Sequence, residues 1–286
     1  MKKIVFVTDL SEASKNASLY AFQMAEALDC KLVMLHIYKF QSVPLLLCPQ
    51  EIKPTYTPFE LERLEHFVQE MKQLRIKADA LGYRNVQVEH VFKSGDAVMT
   101  IQEMVEKEDL KMFIMGIKRE NNLKQSVTGS VSGATLLKTK VMVVGIPDGT
   151  PFNQGIDSVT FTTRFREKDK KAFEIASKMA LQLGVPIRIV YIKTNETDVP
   201  APIIQNWRDI YENEYTQVQV IENSNVNQGI LDYLAINQNT LLTVLHYKRN
   251  FLLTIFEKSF TEKIAALVQV PVLIIQSDEI PDAATY

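Results

Sequence analysis

The sequence predicts an α/β protein built from two similar halves, each a five-stranded parallel sheet with helices on both faces. Two observations predict this fold class. Short apolar segments alternate with amphipathic segments, which is the pattern of βαβ units. The order of these segments in the first half then recurs in the second half. The chain has 286 residues, which is enough for about two domains of ordinary size.

The first half contains five predicted strands, each a short apolar run. They are Ile4 to Thr8, Leu32 to Tyr38, Val86 to Phe92, Met112 to Met115 and Val141 to Ile146. Between the first two strands, alanines and other apolar residues recur at helical spacing, and Ser11 or Ser14 can cap the start of this helix. A second long helix is predicted from Phe59 to about Leu81, where Gly82 follows.

The second half repeats the first. Leu32 to Tyr38 aligns with Ile187 to Lys193, and the same alignment places Asp9 opposite Arg164. The alanines of the first predicted helix also fall on alanines of the second half. This correspondence predicts that both halves have the same fold.

Two further segments are rich in turn-forming residues. Pro147 to Gly155 is the predicted linker, so the domains are expected at residues 1–147 and 148–286. Phe40 to Pro58 contains four prolines and is expected to be a loop or lid. Its apolar residues indicate that it packs over the sheet edge, the other half or a ligand, and the sequence does not choose among these.

Composition and charge exclude several classes of protein. Hydrophobic residues make up 46% of the chain and charged residues 23%, which is typical of a folded globular protein. The net charge of -2 gives no support for nucleic acid binding, and no apolar run is long enough to predict a membrane span. Asp9 interrupts the apolar start before it reaches the length of an export signal. With Cys30 and Cys48 as the two cysteines, we expect a cytoplasmic protein without a metal site or disulfide framework.

Chemistry is expected at the carboxyl ends of the strands, because open parallel α/β sheets bind ligands there. Thr8 and Asp9 follow the first predicted strand, and Gly116 follows the fourth. Gly129 to Ser132 precedes an apolar helical segment and contains two serines. Free N–H groups at a helix start attract anions, so this group fits a phosphate. The alternative on spacing alone is an ordinary helix cap with a turn glycine.

Over essentially its whole length, the sequence resembles the universal stress protein family in its tandem, two-domain form. The resemblance rests on Val5 to Ser11, on Gly95-Asp96-Ala97 before a helix, and on Gly116-x2-Arg119-x9-Gly129-Ser130. It implies two UspA-like domains with the adenine nucleotide alpha hydrolase-like fold. Nucleotide-binding members of the family carry Gly-x2-Gly-x9-Gly-Ser at the last of these motifs, where it holds ribose and phosphates.

The resemblance implies a nucleotide site in the first half. Asp9 matches an aspartate that lies near the adenosine, and Ile37 matches a position whose backbone lies beside adenine. The implied site residues are Thr8, Asp9, Ile37, Gly116, Arg119, Gly129, Ser130, Val131 and Ser132. The expected ligand is ATP or another adenine nucleotide, and Mg²⁺ is expected only together with bound nucleotide. No residue is assigned a catalytic role.

The chain departs from the family motif at several positions. Arg119 stands where the middle glycine is expected, so its side chain either crowds the phosphates or pairs with them in a bidentate manner. In the second half, Arg164 replaces the acid and His246 aligns with the first glycine. Ser259 and Phe260 align with the final Gly-Ser, so no nucleotide is expected in the second half.

Two functions from different classes remain. The first is a cytoplasmic stress-response regulator that binds an adenine nucleotide in its first half, with slow hydrolysis at most, because no positioned base or acidic metal pair is evident. The second is a protein-interaction module whose nucleotide site has decayed. The second half is expected to replace the second subunit of a family dimer, with Val141 to Val144 and Val272 to Ile275 as the meeting strands. Formation of a homodimer by two whole chains stays open.

Overall fold

The computed structural model describes most of the chain, with side chains throughout except at residues 245, 246 and 276, where it describes the backbone alone. The described ranges are residues 2–38, 58–117, 141–152, 155–195, 199–246 and 269–276. Residues 40–57 of the predicted loop or lid lie outside these ranges, so its packing stays a prediction.

Within these ranges the chain forms ten strands and six helices. The strands are β1 (Lys3–Val7), β2 (Lys31–Tyr38), β3 (Val88–Ser94), β4 (Leu110–Ile117), β5 (Met142–Pro147), β6 (Ser158–Thr162), β7 (Ile187–Lys193), β8 (Thr216–Glu222), β9 (Thr240–His246) and β10 (Val272–Gln276). The helices are α1 (Glu12–Ala27), α2 (Pro58–Ala80), α3 (Ala97–Lys107), α4 (Glu167–Leu183), α5 (Ala201–Tyr211) and α6 (Val226–Ile236). All five strands predicted for the first half are confirmed, with small shifts at their ends.

All ten strands belong to one sheet, in the order β3-β2-β1-β4-β5-β10-β9-β6-β7-β8. Each half contributes five strands that are parallel to one another, as predicted. The two sets form one continuous sheet rather than two separate sheets, because β5 pairs with β10 in the antiparallel direction. This pairing satisfies backbone groups that two separate sheets would leave exposed at their edges.

Helices cover both faces of the sheet, which confirms the α/β fold class. On one face, α1, α2, α4 and α5 pack on alternate strand residues such as Phe6 and Phe161, in a core that runs through both halves. On the other face, α3 covers β1 and β2, and α6 covers β7 and β9. None of the described helices combines the length and apolar composition needed to cross a bilayer.

Helix α1 illustrates how local sequence sets an element. Its N-cap is Ser11, whose Oγ accepts the N–H of Ser14 at 3.4 Å. Ala17, Ala21 and Met24 are completely buried, as their helical spacing predicts. The buried side of α1 packs on β1, β2 and β4, so this helix lies over the centre of the first half.

The segment that joins the two halves is held against α1. Tyr20 Oη donates a hydrogen bond to the carbonyl of Pro151 at 2.8 Å, and its ring packs edge-on against Phe152 at 4.8 Å. Gln23 exchanges two hydrogen bonds with the backbone of Ile156, at 3.2 and 2.9 Å. Burial raises the pKa of Tyr20 to about 12, so its hydroxyl stays a donor. The described part of the turn-rich segment is therefore fixed to the first half, and the domain boundary after residue 147 stays a prediction.

The β5–β10 ladder buries apolar side chains from both halves. Val144 and Leu273 are register partners in this ladder. Both side chains are fully buried and belong to the core that runs through both halves. The junction is therefore part of the hydrophobic core as well as a backbone hydrogen-bonded ladder.

We expect Leu273→Ala to lower the free energy of unfolding by about 2–5 kcal/mol, because it leaves a cavity in the ladder that joins the halves. Urea unfolding followed by circular dichroism measures this change. The control is Leu181→Ala on α4, where the leucine is 81% exposed and the expected change is within about 0.5 kcal/mol. Equal small losses for both variants would contradict the assignment of Leu273 to the shared core.

Candidate functional site

The candidate site lies where the strand order of the first half reverses. β1 has β2 on one side and β4 on the other, and such an arrangement opens a crevice at the carboxyl ends of the strands. Val7 is the register partner of both Leu35 and Met115. Thr8 directly follows β1, and at the same level Gly116 is the last residue but one of β4 rather than following the strand as predicted.

A tight turn after β1 positions Asp9. Thr8 Oγ1 accepts the N–H of Leu10 at 3.0 Å, and Leu10 adopts a left-handed backbone with φ of 64°. Asp9 Oδ1 accepts hydrogen bonds from the backbone N–H and the hydroxyl of Ser11, at 3.0 and 2.5 Å. The half-buried Asp9 carboxylate is thereby held beside the N-terminus of α1, where the helix dipole favours a negative charge.

Gly116 has a packing role in this arrangement. A Cβ atom at this position would lie 3.3 Å from the carbonyl oxygen of Ala13 and 3.4 Å from Cα of Ser14. These are backbone atoms of α1, which cannot rotate away as a side chain can. The missing side chain at Gly116 thus lets α1 approach β4 closely. Close packing explains this glycine without any ligand.

Ile37 lies near the end of β2, opposite Lys93 of β3. Its side chain is 4% exposed and packs in the core under α3. The Ile37 side chain is therefore part of the hydrophobic core. The role beside adenine that the family resemblance implies for the Ile37 backbone stays a prediction.

The other predicted site residues lie outside the part of the chain that the structure describes. They are Arg119, Gly129, Ser130, Val131 and Ser132. Whether Arg119 crowds or pairs with phosphates, and whether Gly129 to Ser132 forms a phosphate cradle or a simple helix cap, stay predictions. The same holds for Ser259 and Phe260 of the second half.

A buried histidine supports the end of β1. His36 Nδ1 lies 2.8 Å from the carbonyl oxygen of Thr8, so Nδ1 carries a proton and donates it. The ring stacks on Phe92 at 5.6 Å and on Phe67 at 6.0 Å. Burial lowers the pKa of His36 and outweighs the hydrogen bond to Thr8, which acts in the opposite direction. His36 is therefore a neutral donor that helps to hold the strand end under Asp9.

The sequence reasoning missed a polar pair beside this histidine. Tyr38 Oη donates a hydrogen bond to Glu60 Oε1 at 3.0 Å, and the tyrosine ring stacks on Phe92 at 4.5 Å. Tyr38 and Glu60 are both more than nine-tenths buried. The period of two along β2 places His36 and Tyr38 on one face, which is a signal available in the sequence. The position of Glu60 on α2 is set only by tertiary packing.

The second half forms the same turn after its first strand and fills it differently. Thr163 Oγ1 accepts the N–H of Phe165 at 2.8 Å, and Phe165 is left-handed with φ of 56°. Arg164, at the place of the acid, is exposed. The Phe165 side chain is buried against Tyr191 and Trp207, with ring centroids 5.3 Å away in both cases. An aromatic cluster thus closes the inner side of this turn.

The acid of the second-half turn comes from α4. Asp169 Oδ2 accepts the hydroxyl of Thr163 at 2.8 Å and the N–H groups of Arg164 and Arg166, both at 3.1 Å. The Asp169 side chain is buried. The Asp169 carboxylate therefore closes the turn that precedes its own helix. It faces the protein interior, whereas Asp9 of the first half lies half-buried at the strand end.

Strand register corrects one alignment made from sequence. The pairing of β4 with β1 slips by one residue near the start of the ladder, whereas β9 pairs with β6 without a slip. Following this register, Leu245 corresponds to Gly116, and the alignment of His246 with Gly116 is wrong by one residue. A bulge of this kind leaves no clear mark in the sequence.

The second half also has a polar cavity of about 330 Å³ at the carboxyl ends of β7 and β8. It is lined by Lys193, Thr194, Asn195, Glu222, Asn223 and Ser224. Lys193 Nζ and Glu222 Oε1 are 3.6 Å apart, so the lining contains one ion pair. Within the described ranges, no group of three or more His, Cys, Asp or Glu side chains is placed to hold a metal ion.

Comparison with known proteins gives one family match and several structural matches. Residues 1–147 match the sequence profile of the Universal stress protein family. A universal stress protein from Archaeoglobus fulgidus DSM 4304 is 20% identical, with a TM-score of 0.69 and 96% of each chain covered. A functionally unknown protein from Pseudomonas aeruginosa PAO1 is 10% identical, with a TM-score of 0.61 over 98% of this chain and 94% of that one. No curated protein matches the sequence. At these identities the structural matches show the fold alone.

We expect acid to destabilise the protein partly through His36. Because burial lowers the pKa of His36 in the folded state, the unfolded state binds more protons once the pH falls below the ordinary value of 6.5. Stability is then lost from about that pH downward to the folded-state pKa. His36→Gln keeps a donor for the Thr8 carbonyl, but glutamine does not titrate. Between about pH 7.5 and pH 5.5, the unfolding free energy of this variant should therefore fall less than that of the wild type.

The measurement is urea unfolding at both pH values. His90, whose pKa is also lowered by burial, remains in the variant and should preserve part of the acid sensitivity. The unfolding free energy of the double variant His36→Gln/His90→Gln should therefore change even less between the two pH values. Identical losses on acidification in all three proteins would show that His36 does not contribute.

Proposed function

Because the chain belongs to the universal stress protein family, we propose that its first half binds ATP or a related adenine nucleotide as part of a cytoplasmic stress response. The observation that carries the proposal is the position of the Asp9 turn in the crevice between β1 and β4. Open parallel sheets bind their ligands at such a reversal of strand order. Binding would regulate the contacts of the protein with its partners by favouring one arrangement of the chain.

The proposed roles follow from the chemistry of the residues. A carboxylate accepts hydrogen bonds, so Asp9 suits the ribose hydroxyls or the amino group of adenine. The backbone of Ile37 would lie beside the base. The phosphates would lie against the N–H groups and hydroxyls of Gly129 to Ser132, with Mg²⁺ bound only together with them. Hydrolysis of the bound nucleotide would be slow at most, because the proposed function is binding and no residue is assigned as a general base.

We propose that the second half acts as a built-in partner without nucleotide. The inward-facing Asp169 and the buried Phe165 support this proposal, because both fill the turn that would face a ligand. The ladder between β5 and β10 supports it as well. Val144 pairs with Leu273, which holds the same register position in the second half, and such self-matching contacts are typical of a two-fold dimer.

A second function, a protein-interaction module with a decayed site, is favoured by one observation. Gly116 is explained by close packing of α1 on β4, so its presence does not require a nucleotide. In that case the fold would persist as a docking surface. The two proposals differ in whether the wild-type protein binds an adenine nucleotide.

The first test is calorimetric titration with ATP, ADP and AMP, together with mass spectrometry of any ligand released from the denatured protein. We expect Asp9→Ala to weaken binding about tenfold or more, because a hydrogen bond to a charged group is lost. Arg164→Ala, at the matching position of the second half, is the control and should bind as wild type does.

Gly129→Arg should abolish binding while the fold is retained. Unchanged binding by Asp9→Ala and Gly129→Arg would remove this site.

The second test uses Arg119→Gly, which restores the family glycine. If Arg119 pairs with the phosphates, the substitution should weaken nucleotide binding. If the site has decayed, the wild-type protein should not bind, and Arg119→Gly should create binding. Absence of nucleotide binding in the wild type at millimolar ATP, with binding gained in the variant, would overturn the first proposal in favour of the second.

A further inference from the structure

The two outermost strands of the sheet, β3 and β8, differ in how their edges are protected. On β8, the N–H of Val218 is bonded to Glu212 Oε1 at 3.1 Å, and the N–H of Thr216 to Asn213 Oδ1 at 3.0 Å. Asn213 also donates its own N–H to the carbonyl of Thr216 at 3.0 Å. Local side chains therefore occupy the first part of this edge and oppose the addition of another strand.

The outer edge of β3 has no such protection among the described residues. The N–H of Leu32 bonds to the carbonyl of Gln87, and the register places Leu32 opposite Val88. In a parallel ladder, the odd-numbered residues of β3 therefore bond to β2, and Val88, His90 and Phe92 direct their backbone groups outward. No strand of the described ranges pairs with these groups.

The sequence of β3, Val88-Glu-His-Val-Phe-Lys-Ser94, is complementary to itself in the antiparallel direction. With Val91 on a two-fold axis, Glu89 of each copy lies opposite Lys93 of the other copy. The ladder therefore contains two such pairs of opposite charge. His90 lies opposite Phe92, which is an aromatic pair on the other face of the strand. His90 and Phe92 are also the residues whose backbone groups point outward, so this register supplies hydrogen bonds as well.

We propose that the β3 edge is an interaction surface for a second copy of this chain, joined by antiparallel β3–β3 pairing centred on Val91. This surface lies away from the β5–β10 junction and goes beyond the proposed nucleotide binding. The proposal commits to a second copy because the charge pattern of β3 matches its own reverse. A shift of two residues would separate Glu89 from Lys93 and leave each charge without its opposite partner.

The charged residues are placed so that they can take an additional partner. Glu89 Oε2 lies 2.7 Å from Lys31 Nζ, and Lys93 Nζ lies 3.0 Å from Glu103 Oε2. The side chains of Glu89 and Lys93 remain 37% and 43% exposed. A carboxylate has two oxygens and an ammonium group has three donors, so the intermolecular pair does not require the internal pairs to break.

The test is sedimentation analysis of the full-length chain and its charge variants. The wild type should sediment at twice the 32.6 kDa chain mass at about 100 µM, with weaker association at high salt. Glu89→Lys and Lys93→Glu each place like charges opposite one another, so each should raise the dissociation constant about tenfold or more. An equimolar mixture of the two variants should dimerise again, because both cross-strand pairs are then opposite in charge.

Recovery in the mixture separates the proposal from simple loss of stability, since a misfolded chain would not be rescued by a second altered chain. A wild type that stays monomeric at about 100 µM overturns the proposal. So does a mixture that stays as dissociated as its components. Circular dichroism and thermal unfolding of each variant check that the fold is retained.

Proline substitutions test which edge is used. His90→Pro removes an outward N–H from β3 without removing a bond to β2, so it should abolish the dimer. The control is Val220→Pro, at an outward-facing position of β8 whose N–H bonds to neither β7 nor Glu212, and it should leave the dimer intact. The opposite result would assign the dimer to β8 and overturn the proposal.

A cysteine at the axis tests the register. Residues on the axis of this ladder form a non-hydrogen-bonded pair with Cα atoms about 4.5 Å apart, which is within the range for a disulfide. Val91→Cys should therefore form a reducible covalent dimer under mild oxidation. The wild type, which retains Cys30 and Cys48, is the control. Failure of Val91→Cys to cross-link in a sample that sediments as a dimer would overturn the proposed register.

Discussion

The antiparallel pairing of β5 with β10 is the constraint on which the rest of the molecule depends. It joins five parallel strands from each half into one sheet and buries Val144 and Leu273 in a common core. Because the two sets of strands run in opposite directions, the carboxyl ends of the first set lie beside the amino ends of the second set. Each half therefore has its own candidate ligand crevice. The same pairing leaves β3 and β8 as the outer strands of the sheet.

The turn after the first strand has the same backbone in both halves but carries different side chains. In both halves a threonine hydroxyl accepts the backbone N–H of the residue two positions later, and this donor residue, Leu10 or Phe165, has a left-handed backbone. In the first half the turn holds Asp9 at the strand end. In the second half Asp169 and Phe165 fill the inner side of the turn, so polar and aromatic contacts there contribute to the core. The backbone geometry is thus retained, while the side chains determine whether the turn holds a half-buried carboxylate or is filled from the inside.

Gly116 and His36 show how structural and functional causes overlap at the candidate site. Gly116 lets α1 approach β4 closely, and this packing also places the N-terminus of α1 beside Asp9. His36 donates to Thr8 from within an aromatic cluster, so the end of β1 is supported from below. Substitutions at either position would change stability and site geometry together.

By itself the sequence determined the five strands of the first half, the buried stripe of α1, the presence of a serine cap at its start and the internal repeat. These features depend on side-chain periodicity and on contacts within a few residues, which are the same in any context. The need to cover apolar strand edges also predicted which two strands meet at the junction. Only the tertiary structure decided their antiparallel register, the bulge that aligns Leu245 with Gly116, and the contacts of His36 with Thr8 and of Tyr38 with Glu60. Those features join residues distant in the chain, and their geometry is set by register and by the paths of the connecting segments, which local sequence does not specify.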